Sequence, residues 1–545
     1  MAVLRNLPYA ALVALTFGSA IPAATLAQDA PFVATANKGA VTVAQGDLLG
    51  FVDNGIYTYR GVPYAKAARF MAPEAPDKWE GLRLAMNYGE ICPYPTMTAV
   101  ANDEQFNPHR YLPENEACQF LNIWTPGVKD GAKRPVMVWL HGGGFTNGSS
   151  IEGTSYEGAN LARSGDVVVV SLNHRLNILG TLDLSAYGER YSKSANTGMR
   201  DIVAALEWVQ ANIAQFGGDP ENVTIFGQSG GGGKVRFLMG TPSAVDLFDK
   251  SVVQSGASGV VAMPQDLARA ISERTVANLG LTAETIEQIE TVPYDQLLAA
   301  GDKALKQVEE AGLAKGVGWR PVIDGSFMPE DPVTVGWAKF SADKPLLIGN
   351  VLHENGTIIG NKPDLLFADN MNAWTPEHTT EKIAERFGDK AEAMTAAWKE
   401  AYPGRQLSEL YFWDSTRRQG VVDMAELKAG NSKAPVYSYV FAWNSPVLDG
   451  IGGAWHVSEV PHVFNNIDLV PQVTGGGADA KAMARAVSQA WVHFARDGNP
   501  NHPGLPHWPA FTGEGGATMI FDNYSTVRDH HDDKLLEIVS GRTGG

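Results

Sequence analysis

The chain has 545 residues, 44% of them hydrophobic and 19% charged, with a formal net charge of −17. Such a composition can bury a large core. The negative balance argues against nucleic acid and against an anionic membrane surface as partners, because each needs a basic face.

Met1 to Arg5 is a short, positively charged start, and "YAALVALTFGSAIPAATLA" (9–27) follows, apolar and rich in small residues. The chain then turns polar at Gln28-Asp29. This reads as a secretory signal peptide, 1–27, cleaved after Ala27 and leaving 28–545 as one domain. The product is expected to be secreted or periplasmic. A membrane anchor is the alternative, but the apolar run is short and broken by Gly18 and Pro22. No later stretch reaches the ~20 apolar residues of a membrane span. Cys92 and Cys118 are the only cysteines. An even count in an exported chain suggests a disulfide. It would close a loop of about 25 residues, worth roughly 3 kcal/mol in the loop-entropy account. Two buried free thiols are the other possibility.

The first predicted strands are "VMVWL" (136–140) and "VVVVSLN" (167–173), short, β-branched and bounded by turn residues. From Gly198 to Phe216, Ile202, Leu206, Val209 and Ile213 recur at steps of three and four, which predicts an amphipathic helix ended by "GGDP". Strand "NVTIF" (222–226) and the apolar run "SVVQSG" (251–256) come next. Gln265 to Trp319 is mostly helical in pattern and is expected to cap the sheet. "PLLIG" (345–349) and "VYSYVFAW" (436–443) predict late strands, and Ala478 to Phe494 a late helix. Strands separated by helices define an α/β chain with a mostly parallel sheet covered on both faces. No repeat or linker divides it.

One stretch, "TIFGQSGGGGKVRF" (224–237), admits two readings. A phosphate-binding loop needs glycine, four residues, then Gly-Lys-Ser/Thr. Counting back from Gly233-Lys234 puts Gln228 where the first glycine belongs, and Val235 stands where a metal-binding hydroxyl belongs. The pattern fails twice. The other reading is a nucleophile elbow, Gly227-Gln228-Ser229-Gly230-Gly231, between a strand and a helix. The turn is so tight that a side chain at either flanking glycine would strike backbone. The serine is strained and raised above the sheet edge. The helix that follows aims its partial positive charge at the serine. Gly232 and Gly233 are poor helix formers, costing about 1 kcal/mol each against alanine, and read as room for close backbone packing. "WLHGGGF" (139–145) directly follows a strand, where the rest of an oxyanion hole is built. The amides of Gly143, Gly144 and Gly230 are the expected donors.

Together these segments resemble the type-B carboxylesterases, the serine esterase family that includes acetylcholinesterase and the bacterial p-nitrobenzyl esterases. "YRGVPYA" (59–65), "NEACQFLNIWTP" (115–126), the block from Asn196 to Gly231, "VVQSG" (252–256), "PVIDGSFMP" (321–329) and "WVHFARDGNPN" (491–501) resemble the family's landmarks in order. The resemblance implies an α/β-hydrolase fold and a Ser–Glu–His triad. "LLIGNVLHENGT" (346–357) resembles the acid segment and selects Glu354; "GAWHVSEV" (453–460) resembles the histidine segment and selects His456. With 12 histidines and 60 acids in the chain, spacing alone could not choose them. His462 is expected to be a rim or core histidine, and His353 to point elsewhere. The resemblance also implies ion pairs Arg60–Glu116 and Arg175–Asp201, and a supporting role for Ser255 behind the triad.

The implied activity is hydrolysis of small carboxylic esters through an acyl-enzyme on Ser229, with no cofactor or metal. Amide, carbamate or lactone hydrolysis by the same triad is the alternative, and a non-catalytic binding or adhesion module the further one. Several positions depart from the family pattern. Gln228 and Gly230 replace the usual glutamate and alanine beside the serine, which removes a charge that favours cationic substrates. The Cys92–Cys118 loop has no tryptophan, so choline esters are not expected. His174 stands where the family usually has tyrosine. "DHHDDK" (529–534) has ligand-type residues but reads as a solvated tail.

Overall fold

Along Arg134–Leu140, side chains alternate between two buried clusters: Met137 and Trp139 enter one, Val136, Val138 and Leu140 the other. That period of two, with both faces apolar, marks a strand covered on each side. The computed structural model describes residues 32–95, 106–259, 261–354 and 369–540. The leader expected at 1–27 lies outside them.

Among the described residues, the main sheet has 12 strands. In chain order they are β1 (Phe32–Val33), β2 (Phe51–Asp53), β3 (Ile56–Pro63), β4 (Phe120–Thr125), β5 (Arg134–Leu140), β6 (Val168–Leu172), β7 (Gly218–Gln228), β8 (Lys250–Gln254), β9 (Leu346–Val351), β10 (Val436–Phe441), β11 (Ala517–Phe521) and β12 (Thr526–Asp529). Their spatial order is β1-β2-β3-β4-β6-β5-β7-β8-β9-β10-β11-β12. From β6 through β11 all pairings are parallel, and the strands outside that run join antiparallel. Register aligns Phe226 with Trp139 on one side and Val252 on the other.

Helices cover both faces, as parallel strands require. Thr197–Asn212 buries Ile202, Leu206 and Val209, and the chain turns away at Gly217, whose φ of 72° suits glycine. Ala478–Asp497 lays Val487, Trp491 and Phe494 on the other face and ends at Gly498. Gln265–Asn278 and Tyr294–Glu310 form the expected cap, burying Ile271, Leu297 and Trp319 with Ile178 and Leu179 in a separate cluster. Among the described residues, no helix is long and apolar enough to cross a membrane.

Cys92 and Cys118 form a disulfide, Cα–Cα 5.0 Å, with both residues buried. Arg175 and Asp201 pair as expected, fully buried, through two side-chain bonds of 2.6 and 2.8 Å. The other expected ion pair is not there. Glu116 is taken by Arg69, and Arg60 instead lies 3.5 Å from Glu157 and stacks over the Tyr88 ring at 4.4 Å. Arg60 lies on β3 and Glu157 directly after the short helical turn Thr154–Tyr156, so packing between distant segments decides the partner. Segment 529–534 is no solvated tail either. His531 and Asp532 are buried, and Asp532 accepts bonds of 2.7 and 3.1 Å from buried Arg418. The edge strand β12 and the helix Asp533–Ser540 carry this polar run back against the sheet. Among the described residues, no group of His, Cys, Asp or Glu is arranged to hold a metal ion.

Candidate active site

The predicted site residues gather at the carboxyl ends of the parallel strands, where ligands of open α/β sheets bind. Ser229 follows β7 directly and opens the helix Gly230–Leu238. Its φ of 57° and ψ of −121° are costly for a residue with a side chain. The turn persists because its neighbours leave no slack. A Cβ on Gly227 would lie 2.6 Å from the Leu140 carbonyl oxygen, and one on Gly231 would overlap that same oxygen. Both elbow glycines are therefore required by packing against β5. Ser229 N–H donates to the Gln254 carbonyl at 2.8 Å, tying the turn to β8.

The four-glycine run divides by environment. A Cβ at Gly230 would collide with the backbone of Gly144, which explains the missing alanine after the serine. A Cβ at Gly232 would stand 2.9 Å from the Gln254 carbonyl oxygen. At Gly233 a Cβ would meet only the Phe145 ring, at 3.7 Å, although the Gly233 backbone nitrogen lies close enough to Gly256 that a Cβ on Gly256 would be 2.5 Å from it.

The loop after β5 brings Gly143 and Gly144 beside the serine turn. Both have positive φ, 78° and 64°. Only glycine adopts such angles without strain. Their N–H groups donate to no other backbone carbonyl among the described residues. Gly142 lies close enough that a Cβ on it would be 3.6 Å from Ser229 Cβ.

Glu354 follows β9 by three residues, is fully buried, and accepts the Val351 N–H at 3.2 Å. Its other oxygen is paired with His456 Nδ1. Burial alone would raise its pKa, but His456 and then Arg417, 3.8 Å away, outweigh burial and hold the carboxyl below its usual range. The Ser255 hydroxyl also faces this carboxylate and favours its charge, without full hydrogen-bond geometry.

The loops carrying Glu354 and His456 are strapped together. His353 N–H donates to the Ala454 carbonyl, and Ala454 N–H donates back to His353 Nδ1, each at 3.0 Å. The His353 ring points away from His456, with Nε2 3.3 Å from Glu409. His462 is the core histidine expected. It donates from Nδ1 to the Ser458 carbonyl at 3.0 Å, packs on Phe441 and Trp443, and burial pushes its pKa down to about 4. Ser229 and the 18%-exposed His456 side chain stand at a partly open surface, whereas Glu354 lies beneath. The Gln228 side-chain amide lies 3.3 and 3.4 Å from the two ring nitrogens of His456, so the residue before Ser229 touches the imidazole.

Three neighbours of the site were given no role by sequence reasoning. Arg417 comes from the helix Ser415–Asn431 and has no motif. Glu459 lies behind the site, taking a 3.4 Å bond from Gln254, which itself accepts from Trp491 at 3.2 Å. Burial, and next the charge of Glu354, push Glu459 up to about 8. Lys234 sits wholly buried beneath the glycine loop. Its place after four glycines was the available signal.

A largely parallel sheet with a strained serine turn, a glycine loop, an acid and a histidine at its carboxyl edge defines an α/β-hydrolase. The profile described as "Carboxylesterase family" matches residues 37–538. Para-nitrobenzyl esterase of Bacillus subtilis (strain 168) is 32% identical over 501 residues, covering 90% of this chain and 96% of its own length. A phenmedipham hydrolase of Pseudarthrobacter oxydans is 32% identical over 488 residues, covering 87% and 93%. Among solved structures, an esterase from anaerobic Clostridium hathewayi that can hydrolyse aliphatic aromatic polyesters superposes with a TM-score of 0.85 at 39% identity, covering 94% of this chain and 99% of that one. The chain belongs to the carboxylesterase family and is a carboxylic ester hydrolase.

Proposed function

We propose that the chain is an exported serine carboxylesterase acting through an acyl-enzyme on Ser229. The observation that carries this reading is the Glu354–His456 pair lying against Gln228, the residue before the strained serine. Ser229 Oγ attacks the ester carbonyl while His456 takes its proton. Glu354 fixes the imidazole tautomer and stabilises the imidazolium. The oxyanion is held by the amides of Gly143, Gly144 and Gly230. When the carbonyl re-forms, the ester C–O bond breaks and His456 returns the proton to the departing alcohol. Water then attacks the acyl carbon, losing a proton to His456, and the acid leaves as Ser229 regains its hydrogen. The reaction needs no redox partner.

The disulfide and the apolar leader both favour export. The absence of tryptophan from the disulfide loop and of a carboxylate at 228 favours neutral esters over cationic ones. Likeness to an esterase that hydrolyses aliphatic aromatic polyesters makes esters with an aromatic acyl group the first extension of a simple panel. The direct test is Ser229→Ala on p-nitrophenyl acetate and butyrate. Loss of turnover to near background is expected, and undiminished hydrolysis by the variant would sink the mechanism.

A further inference from the structure

Lys234 belongs to the helix Gly230–Leu238 that Ser229 caps, yet its side chain runs under the glycine loop. Nζ donates to the His141 carbonyl at 2.8 Å and lies 3.4 Å from that of Gly142. The Gly142 carbonyl also accepts His141 Nδ1–H at 3.0 Å. These contacts bear on the neighbouring amides. In a trans peptide the carbonyl and the next N–H point in opposite directions. Holding the Gly142 carbonyl toward Lys234 therefore turns Gly143 N–H away from it. Donors on the carbonyl also polarise the amide and make its N–H a stronger donor.

The neighbouring rings carry no competing charge. His141 stacks on His174 with ring centroids 5.0 Å apart. Burial, and next the charge of Lys234, push the pKa of both rings down, so they remain neutral. Burial draws Lys234 down to about 7, and the charge of Glu152 opposes that fall. At the serine turn itself Gln228 is neutral. His174, Gln228 and Lys234 thus occupy one neighbourhood, and Lys234 is the member that carries charge when protonated.

We propose that Lys234 is a positioning residue for the oxyanion hole: its ammonium fixes and polarises the peptides from His141 to Gly143, so their donors are aimed before substrate binds, and its charge favours the tetrahedral oxyanion. The inference rests on the acyl-enzyme reading and names a further residue of that machinery. Such an interaction is stronger in the transition state than in the bound substrate, so its loss falls on kcat.

The test compares Lys234→Met, which removes donor and charge, with Lys234→Gln, which keeps a neutral donor. Each kcat for p-nitrophenyl butyrate is divided by active sites titrated with an organophosphonate, so unfolded protein drops out of the comparison. Lys234→Met is expected to lose on the order of 10²-fold in kcat, with KM changed no more than about twofold. Lys234→Gln should fall between it and the parent. The inhibition constant of an alkyl trifluoromethyl ketone, which forms an oxyanion on the serine, should rise in proportion to the loss of kcat/KM. If Lys234→Met yields no titratable sites, Lys234→Gln carries the same comparison. Parental kcat per site, or a loss confined to KM with ketone affinity unmoved, would overturn the assignment. A dead Ser229→Ala beside a fully active Lys234→Met would reject this inference alone, whereas an active Ser229→Ala would reject the underlying mechanism.

Discussion

The side-chain amide of Gln228 stands 3.3 Å from one ring nitrogen of His456 and 3.4 Å from the other. Near-equal distances mean contact with the ring rather than a bond directed at one nitrogen. His456 Nδ1 is already engaged by Glu354. The contact therefore packs the imidazole against the side chain at position 228 without adding charge.

Replacing that amide by a carboxylate changes the charge while keeping the shape. Gln228→Glu would favour protonated His456, and protonated histidine cannot act as base. The acid limb of kcat/KM against pH is expected to move upward by about one unit. The same carboxylate should raise the relative rate on a cationic ester over its neutral isostere. Matched pH–rate profiles of the two proteins check both effects, and superimposable profiles would show that position 228 does not sense the imidazole.

Glu354→Gln removes the carboxylate but leaves side-chain volume nearly unchanged. Nδ1 of His456 then loses its charged partner and the preferred tautomer. A fall in kcat on the order of 10³–10⁴-fold is expected, with little change in KM. Steady-state kinetics beside a thermal melt separate this from unfolding.

Two glycines only two residues apart, Gly231 and Gly233, should answer oppositely to alanine. A Cβ at Gly231 overlaps the Leu140 carbonyl oxygen, which β5 holds in place. Gly231→Ala is expected to cost more than about 3 kcal/mol or to prevent folding. At Gly233 a Cβ meets only the Phe145 ring, at ordinary contact distance of 3.7 Å. Gly233→Ala should be neutral or stabilise by up to about 1 kcal/mol, because alanine is the better helix former. Urea unfolding of the pair gives the comparison.

Glu459 provides a pH dependence whose sign can be worked out. Burial, with the charge of Glu354 adding to it, holds its folded pKa at about 8, above the usual carboxylate range. The folded state keeps a proton that the unfolded chain has already released. The contribution is complete below the unfolded value and is lost as pH rises through about 8. Glu459→Gln has no proton to lose. It should match the parent near pH 4 and exceed it above pH 9, by about 1–3 kcal/mol. Urea midpoints at the two pH values measure the difference, and a parent that loses no stability between them would refute the assignment.

Much of the sheet was legible because parallel strands buried on both faces must be apolar throughout. "VMVWL" and "PLLIG" needed no partner to be read as strands. The serine turn was legible for a related reason: a strained turn against neighbouring backbone tolerates only glycine at Gly227 and Gly231, and the pattern is local. Glu354 and His456 were not legible from spacing, and resemblance alone selected them. Their pairing spans 102 positions and depends on two loops being strapped through His353 and Ala454. Arg60 failed as a partner for Glu116 for the same reason. A guanidinium specifies the kind of group it needs, but packing chooses which carboxylate arrives.

The amino-acid order by itself determined the alternation of strand and helix, the glycines of the elbow, and the class of chemistry available to a serine held there. Those are properties of short segments, set by periodicity and by backbone sterics. Tertiary structure alone decided that Gln228 touches His456, that Arg417 joins Glu354, that Asp532 is buried against Arg418, and that Lys234 turns beneath the glycine loop rather than toward a ligand. Each of these follows from where a side chain points once distant strands are in register, and that direction is fixed by packing.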